Sequence, residues 1–204
     1  LKYPGKIYSV DGDLNDDNVL KKIRQDAINR FGQIDAIVAN AGAVKVTHDW
    51  DIEDMDWEWY FTANFKIAYR FTQKFIPDLT KTAGSIVLIN SIAGLEHIGA
   101  PLPYSTAKAA LAMYSKGLSY TLASKNIRVN TVSPGNIFFE GGNWDLKLKV
   151  DSTKVQNLIH NHVPLKCFGS VEDIGNAVAF LLSRKASFIT GSNLVIDGGQ
   201  SQSI

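Results

Sequence analysis

The chain of 204 residues holds a single cysteine, Cys167, so no disulfide can form within it. That thiol lies in PLKCFG with no His/Cys cluster around it and reads as a passive packed group. Histidines are few, and His160 and His162 in NLIHNHVP have no acidic or cysteine neighbours, so no metal site is expected. Charge of one sign is also missing. The 21 basic and 20 acidic residues leave +1, which removes any electrostatic case for nucleic acid or an anionic membrane surface. No apolar run approaches the ~18 residues of a membrane span, and no signal sequence is visible, which makes the cytoplasm the expected compartment. What remains is 45% hydrophobic and 20% charged, enough to bury one good core without disulfides or metal.

Strand-like and helix-like segments alternate along the chain, the pattern of parallel βαβ units. After KIYSVDGDL, read as a strand ending at Asp13-Leu14, Asn15 or Asp16 can cap a helix. Its apolar positions Val19, Leu20, Ile23, Ala27, Ile28 and Phe31 keep helical period until Gly32 stops it. Ile34 to Ala39 reads as a strand, Asp54 to Leu79 as a long helix with Pro77 near its end, and Ser85 to Ser91 as a strand buried on both faces. A helix is expected from near Pro103 to about Ser124, then a strand over Ile127 to Ser133 and an irregular NIFFEGGNWDLK. Ser170 caps a helix over Val171 to Leu182, and Asn193 to Asp197 forms a last strand. Residues 1–204 read as one domain.

Tyr104 and Lys108 stand four residues apart in PYSTAK, which puts both on one helix face about 6 Å apart along the axis. A free tyrosine loses its proton near ~10, and a neighbouring cation is expected to bring that value toward working pH. Such a phenol is a usable general acid or base. Ser91, at the end of SIVLINS, adds a donor for a substrate oxygen. A Tyr-x-x-x-Lys pair by itself is common on solvated helices, so the surrounding motifs decide its meaning.

Those motifs are Asn40-Ala41-Gly42 in IVANAG, Asn64 in a helical stretch, Ser91, the Tyr104/Lys108 pair and Pro134-Gly135 in VNTVSPG. In this order, from about Ile7 to Gly199, they resemble the short-chain dehydrogenase/reductase family. The resemblance implies an α/β fold, a doubly wound parallel sheet of Rossmann type with helices on both faces. It implies hydride transfer between NAD or NADP and a small-molecule carbonyl or secondary alcohol, with Tyr104 as the acid/base and Asn64, Ser91 and Lys108 completing the catalytic set. Asp13 and Leu14 would contact the adenine end of the cofactor. Asn40, Ala41 and Gly42 would lie along the nucleotide, and Pro134, Gly135 and Ile137 near the nicotinamide. Lys108 would also hold the ribose hydroxyls, and Asn64 would bind a water linking Lys108 to solvent. For Asp13 a helix-capping role is an equal alternative, and for Asn64 a satisfied mid-helix polar residue. Relatives pair their long helices, so a homodimer or homotetramer is expected.

The chain departs from the family in two places. No G-x-G-x-x-G or looser glycine spacing occurs anywhere, although Rossmann-type enzymes seat the pyrophosphate on such a turn. KIYSVDGDL resembles the family's third strand, so the glycine-rich βαβ segment with strands 1 and 2 has no counterpart, and these residues are expected to be part of a longer protein. In a 3-2-1-4-5-6 sheet that loss detaches strand 3 and exposes two apolar edges. It also removes the residue that separates NAD from NADP. The second departure is Phe139, which occupies the place of a threonine that in the family contacts the nicotinamide carboxamide. Phe138, Phe139 and Trp144 are candidates for an apolar substrate wall, or for core or subunit packing, and His97 for a substrate contact or a solvated loop residue. The alternatives to a redox enzyme are a non-catalytic binding or regulatory protein on the same fold and a dehalogenase-like enzyme. Lys108 argues against the last, in which arginine is usual.

Overall fold

The computed structural model describes residues 7–45 and 50–202. Four strands form one parallel sheet in the order β1-β2-β3-β4: β1 Ala36–Ala39, β2 Ser85–Ile89, β3 Arg128–Pro134 and β4 Asn193–Ile196. Ile37 pairs with Ile86, Val87 with Asn130 and Val132 with Leu194, so the strands run in step and their carboxyl ends share one edge.

Helices cover both faces, as a near-continuous apolar strand such as SIVLI requires. Ile86, Leu88 and Val129 meet Phe75 and Leu79 of α3 (Ile67–Thr82) and Leu111 of α4 (Leu102–Leu122). On the other face Val87 and Val132 meet Leu181 of α7 (Val171–Leu182). Each fully buried aliphatic side chain of this kind contributes roughly 1.5–3 kcal/mol.

Local chemistry sets the helix ends. The Asp16 side chain accepts from Asn18 N at the start of α1 (Asp17–Phe31), and Gly32, at φ 79°, accepts the left-handed turn that ends it. Ser170 and Asp173 form a reciprocal capping box at α7. At the end of α7, the Arg128 guanidinium donates to the carbonyls of Leu181, Leu182, Ser183 and Ile189. This holds α7 to β3.

Three expectations are corrected. Residues 7–14 form no strand, and Ile7 is 57% exposed. Among the described residues nothing pairs with the outer edge of β1, so an extended segment there has no ladder to join. Tyr8 instead packs beneath the Arg30 guanidinium, 3.7 Å from its ring centre. The long helix from Asp54 is not uniform: α2 (Asp54–Phe61) passes through a π-helical turn at Thr62–Lys66 before α3, which runs past Pro77 to Thr82. NIFFEGGNWDLK is irregular only in its first part, because α5 (Asn143–Val150) begins within it and α6 (Ser152–His162) follows, capped by Asp151.

Candidate active site

Four strand ends deliver the polar groups. Asn40 follows β1, Ser91 lies two residues past β2, Pro134 ends β3 with Gly135 after it, and Asp197 follows β4. Ser91 caps a 3-10 turn at Ile92–Gly94, its Oγ accepting from Ala93 N at 3.2 Å. The Pro-containing first turn of α4 carries Tyr104, whose hydroxyl lies within hydrogen-bonding reach of the Ser91 side chain. The Tyr60 ring stands edge-on to the Tyr104 ring at 6.5 Å, fixing its orientation.

Lys108, one turn along α4, is 4% exposed. Its Nζ donates to Ile89 O at 3.0 Å and lies 5.8 Å from the Tyr104 ring centre. Burial pulls its ammonium down from 10.5 to about 8. Tyr104 moves opposite to the sequence expectation: burial raises its phenol, and the Ser91 hydrogen bond lowers it by less. The phenol is desolvated, and the amine expected to lower it is spent on a carbonyl. Tyr104 therefore holds its proton firmly when no ligand is present, which suits a proton donor.

Asn64 is fully buried inside the π-helical turn. Its Nδ2 donates to Ala43 O at 2.8 Å and Tyr60 O at 3.1 Å, while its Oδ1 accepts from Ala43 N at 3.1 Å. A Cβ on Gly42 would stand 3.0 Å from Asn64 Oδ1 and 3.4 Å from Lys108 Nζ. Asn64, Lys108 and the loop after β1 thus meet at Gly42, and a second lone pair on Oδ1 stays open to a water.

A cleft of about 500 Å³ opens over these strand ends. Asn40, Ser91, Tyr104, Pro134, Gly135, Ile137, Phe139 and Trp144 line it, with Val171, Ile174 and Val178 of α7 opposite. Titratable and hydroxyl groups from separate segments thus converge beside an apolar wall, an arrangement able to move a proton at a bound oxygen.

Residues 2–201 match the family model described as Enoyl-(Acyl carrier protein) reductase. The 3-oxoacyl-(acyl-carrier-protein) reductase FabG of Thermotoga maritima is 30% identical over 197 residues, 96% of this chain and 78% of that protein. Isoepoxydon dehydrogenase patN of Penicillium expansum is 33% identical over 185 residues, 90% of this chain and 69% of that protein. Among solved structures, a short-chain dehydrogenase/reductase of unknown function from Caenorhabditis elegans, with cofactor, superposes with a TM-score of 0.84 at 31% identity, covering 95% of this chain and 74% of that one. A 7α-hydroxysteroid dehydrogenase complexed with NADH and 7-oxo glycochenodeoxycholic acid gives 0.83 at 28% identity, over 93% and 72%. The chain belongs to the short-chain dehydrogenase/reductase family. It is an NAD(P)-dependent oxidoreductase.

In this short-chain dehydrogenase/reductase the nicotinamide half of the cofactor has a fitting place. The cleft is apolar along Ile137 and Val178, Asn90 beside Ser91 is buried with neither amide atom partnered, and Gly42 lets the backbone after β1 pass close to Asn64 and Lys108. Gly135 is required on packing grounds, since a Cβ there would fall 2.6 Å from the Asp197 Cβ.

Other expected residues lie elsewhere. The Asp13 carboxylate accepts from Asn15 N and Nδ2 in a local turn, and neither Asp13 nor Leu14 lines the cleft. Neither Ala41 nor Gly42 lines it, and Gly42 sits against Asn64 and Lys108 instead. Phe138 packs on Phe168 at 5.9 Å and is 39% exposed. His97 is exposed on a separate polar cavity of about 970 Å³, shared with His162, Lys166 and Gln200. Cys167 is exposed rather than packed, in the turn after Lys166 at φ 59°. Among the described residues no group of three or more His, Cys, Asp or Glu is placed to hold a metal, and no helix is long and apolar enough to cross a membrane.

Sequence reasoning missed Asn90, Tyr60 and Asp197. Tyr60 holds both Lys45 backbone groups, at 3.1 Å and 2.6 Å, and orients Tyr104. Asp197 accepts from Gly199 N at 2.9 Å and Ser201 N at 2.6 Å, shaping the turn beneath Gly135. An Asp-Gly-Gly run after a strand signals that turn; nothing in the sequence marks the other two.

Proposed function

We propose that the protein transfers a hydride between NAD(P)(H) and a small-molecule carbonyl or secondary alcohol, with Tyr104 as the acid/base. The observation carrying this is the Tyr104 hydroxyl beside Ser91 in a single cleft, with Lys108 buried one turn along the helix, behind the cleft wall. In reduction, the Ser91 and Tyr104 hydroxyls hydrogen-bond the substrate oxygen, and Tyr104 gives it a proton. The bound nicotinamide supplies the hydride in that direction and accepts it in oxidation. Lys108 meets the phenolate left behind with positive charge, and also holds the nicotinamide ribose hydroxyls. Asn64 fixes the loop after β1 and keeps an acceptor for a water next to Lys108.

In this reading Asn40, Ala41 and Gly42 run along the nucleotide, Pro134, Gly135 and Ile137 border the nicotinamide, and Asp13 and Leu14 serve its adenine end. Phe139 and Trp144 form the substrate wall, with Phe138 behind them; His97, on its own cavity, would meet only a substrate that extends beyond the cleft. The chain acts as a single Rossmann-type domain of a cytoplasmic homodimer or homotetramer. Exposed Met113 and Tyr120 on α4, 73% and 90% accessible, support a helix-paired interface.

The test is NADH and NADPH consumption by the full-length protein against a panel of ketones, with cofactor binding followed by fluorescence. Turnover with either cofactor supports the reading. Tight binding without turnover on any ketone or alcohol favours the second reading, a nucleotide-binding regulatory protein.

A further inference from the structure

Asn90 is 4% exposed, and both Nδ2 and Oδ1 of its amide lack a hydrogen-bond partner. A buried amide left unsatisfied costs about 1–3 kcal/mol, so a leucine of the same size would stabilise the ligand-free fold. The orphan lies in the wall of the cleft, directly before Ser91, and its backbone N donates to Val132 O at 2.8 Å. It therefore sits on the β2–β3 edge, between the groups assigned to the substrate oxygen and the Pro134-Gly135 corner.

We infer that Asn90 recognises the carboxamide of the nicotinamide ring. The inference rests on the proposed hydride-transfer function. A side-chain amide with both donor and acceptor free is complementary to a ligand group that also offers both, and a carboxamide is the simplest such group. The nicotinamide must lie within hydride reach of a carbonyl held by Ser91 and Tyr104, which brings its carboxamide near the β2 and β3 ends. Phe139 offers that carboxamide no hydrogen bond. Both Asn90 amide atoms are covered in the ligand-free cleft, so the side chain turns about its Cα–Cβ bond to meet the ring. Ligand binding then satisfies an amide that is otherwise stranded.

The test compares wild type with Asn90→Leu in the full-length protein, reading the melting temperature without ligand and the dissociation constants for NADH, NADPH and ADP-ribose, which lacks nicotinamide. The expected result has opposite signs. Asn90→Leu melts higher than wild type, binds whichever reduced cofactor the wild type prefers about tenfold more weakly, and binds ADP-ribose unchanged. Reduced-cofactor affinity within twofold of wild type overturns the inference while leaving the hydride-transfer reading intact. So does a lower melting temperature with parallel loss of both ligand types, which would mean that Asn90 only supports the fold. Wild-type protein that binds neither NADH nor NADPH overturns the underlying reading and this inference with it.

Discussion

The Lys108 ammonium donates to the Ile89 carbonyl at the end of β2 while lying 5.8 Å from the centre of the Tyr104 ring. The strand end thus fixes a cation beneath the phenol, and burial at the same place brings that cation down to about 8. Charge on Lys108 is consequently the pH-sensitive part of the pair. Tyr104, raised by burial, keeps its proton across the same range.

The alkaline limb of kcat/KM for carbonyl reduction is therefore expected near pH 8, set by Lys108 losing its charge rather than by tyrosine. Lys108→Arg, whose guanidinium stays charged far beyond the range in which the lysine titrates, should move that limb to higher pH in whatever activity remains. A pH–rate profile of both proteins checks this, and an unmoved limb would assign it to another group.

Lys108 should also cost stability. Its folded-state value lies below that of the unfolded chain, so folding sheds a proton between about 8 and 10.5. The penalty is fully present below about pH 8 and is relieved as pH rises toward 10.5. Lys108→Met removes about 3 kcal/mol of that penalty and loses one hydrogen bond worth about 1 kcal/mol, for a net gain of about 2 kcal/mol at pH 7. Urea unfolding at pH 7 and pH 10 measures it. The gain should shrink at the higher pH, and a destabilised variant at pH 7 would contradict the assignment.

Asn64→Leu removes three hydrogen bonds that tie residue 43 and the Tyr60 carbonyl to the π-helical turn. A loss of about 2–4 kcal/mol is expected from the stranded backbone groups. Faster amide exchange should be confined first to residues 42–45. Uniformly faster exchange would show that Asn64 supports the whole core instead.

Much of this architecture can be read from local sequence chemistry. The helix from Asp17 to Phe31, the helix from Val171 to Leu182 and the strand beginning at Ser85 follow from caps and periodicity, because those signals act within a few residues. Residues 7–14 read as a strand from sequence and form none, because a strand needs a neighbour and sequence pattern does not carry the neighbour. The π-helical turn at Asn64 was missed because one inserted residue leaves the apolar pattern nearly unchanged. Spacing and resemblance single out Tyr104, Ser91 and Lys108, and the structure places the three side chains near one another. The direction of the Tyr104 shift does not follow from them, because it depends on how far burial outweighs a cation whose reach is set by the Ile89 carbonyl. Asn90 carries no motif, and only its unpartnered amide distinguishes it.

The most direct test of the account replaces the Tyr104 hydroxyl alone. Single-turnover oxidation of bound NAD(P)H by a ketone that the wild type reduces should slow at least a hundredfold in Tyr104→Phe, with cofactor affinity and melting temperature close to wild type. Oxidation at the wild-type rate in a variant that binds cofactor normally would contradict the role of Tyr104 as proton donor, and with it the proposed mechanism.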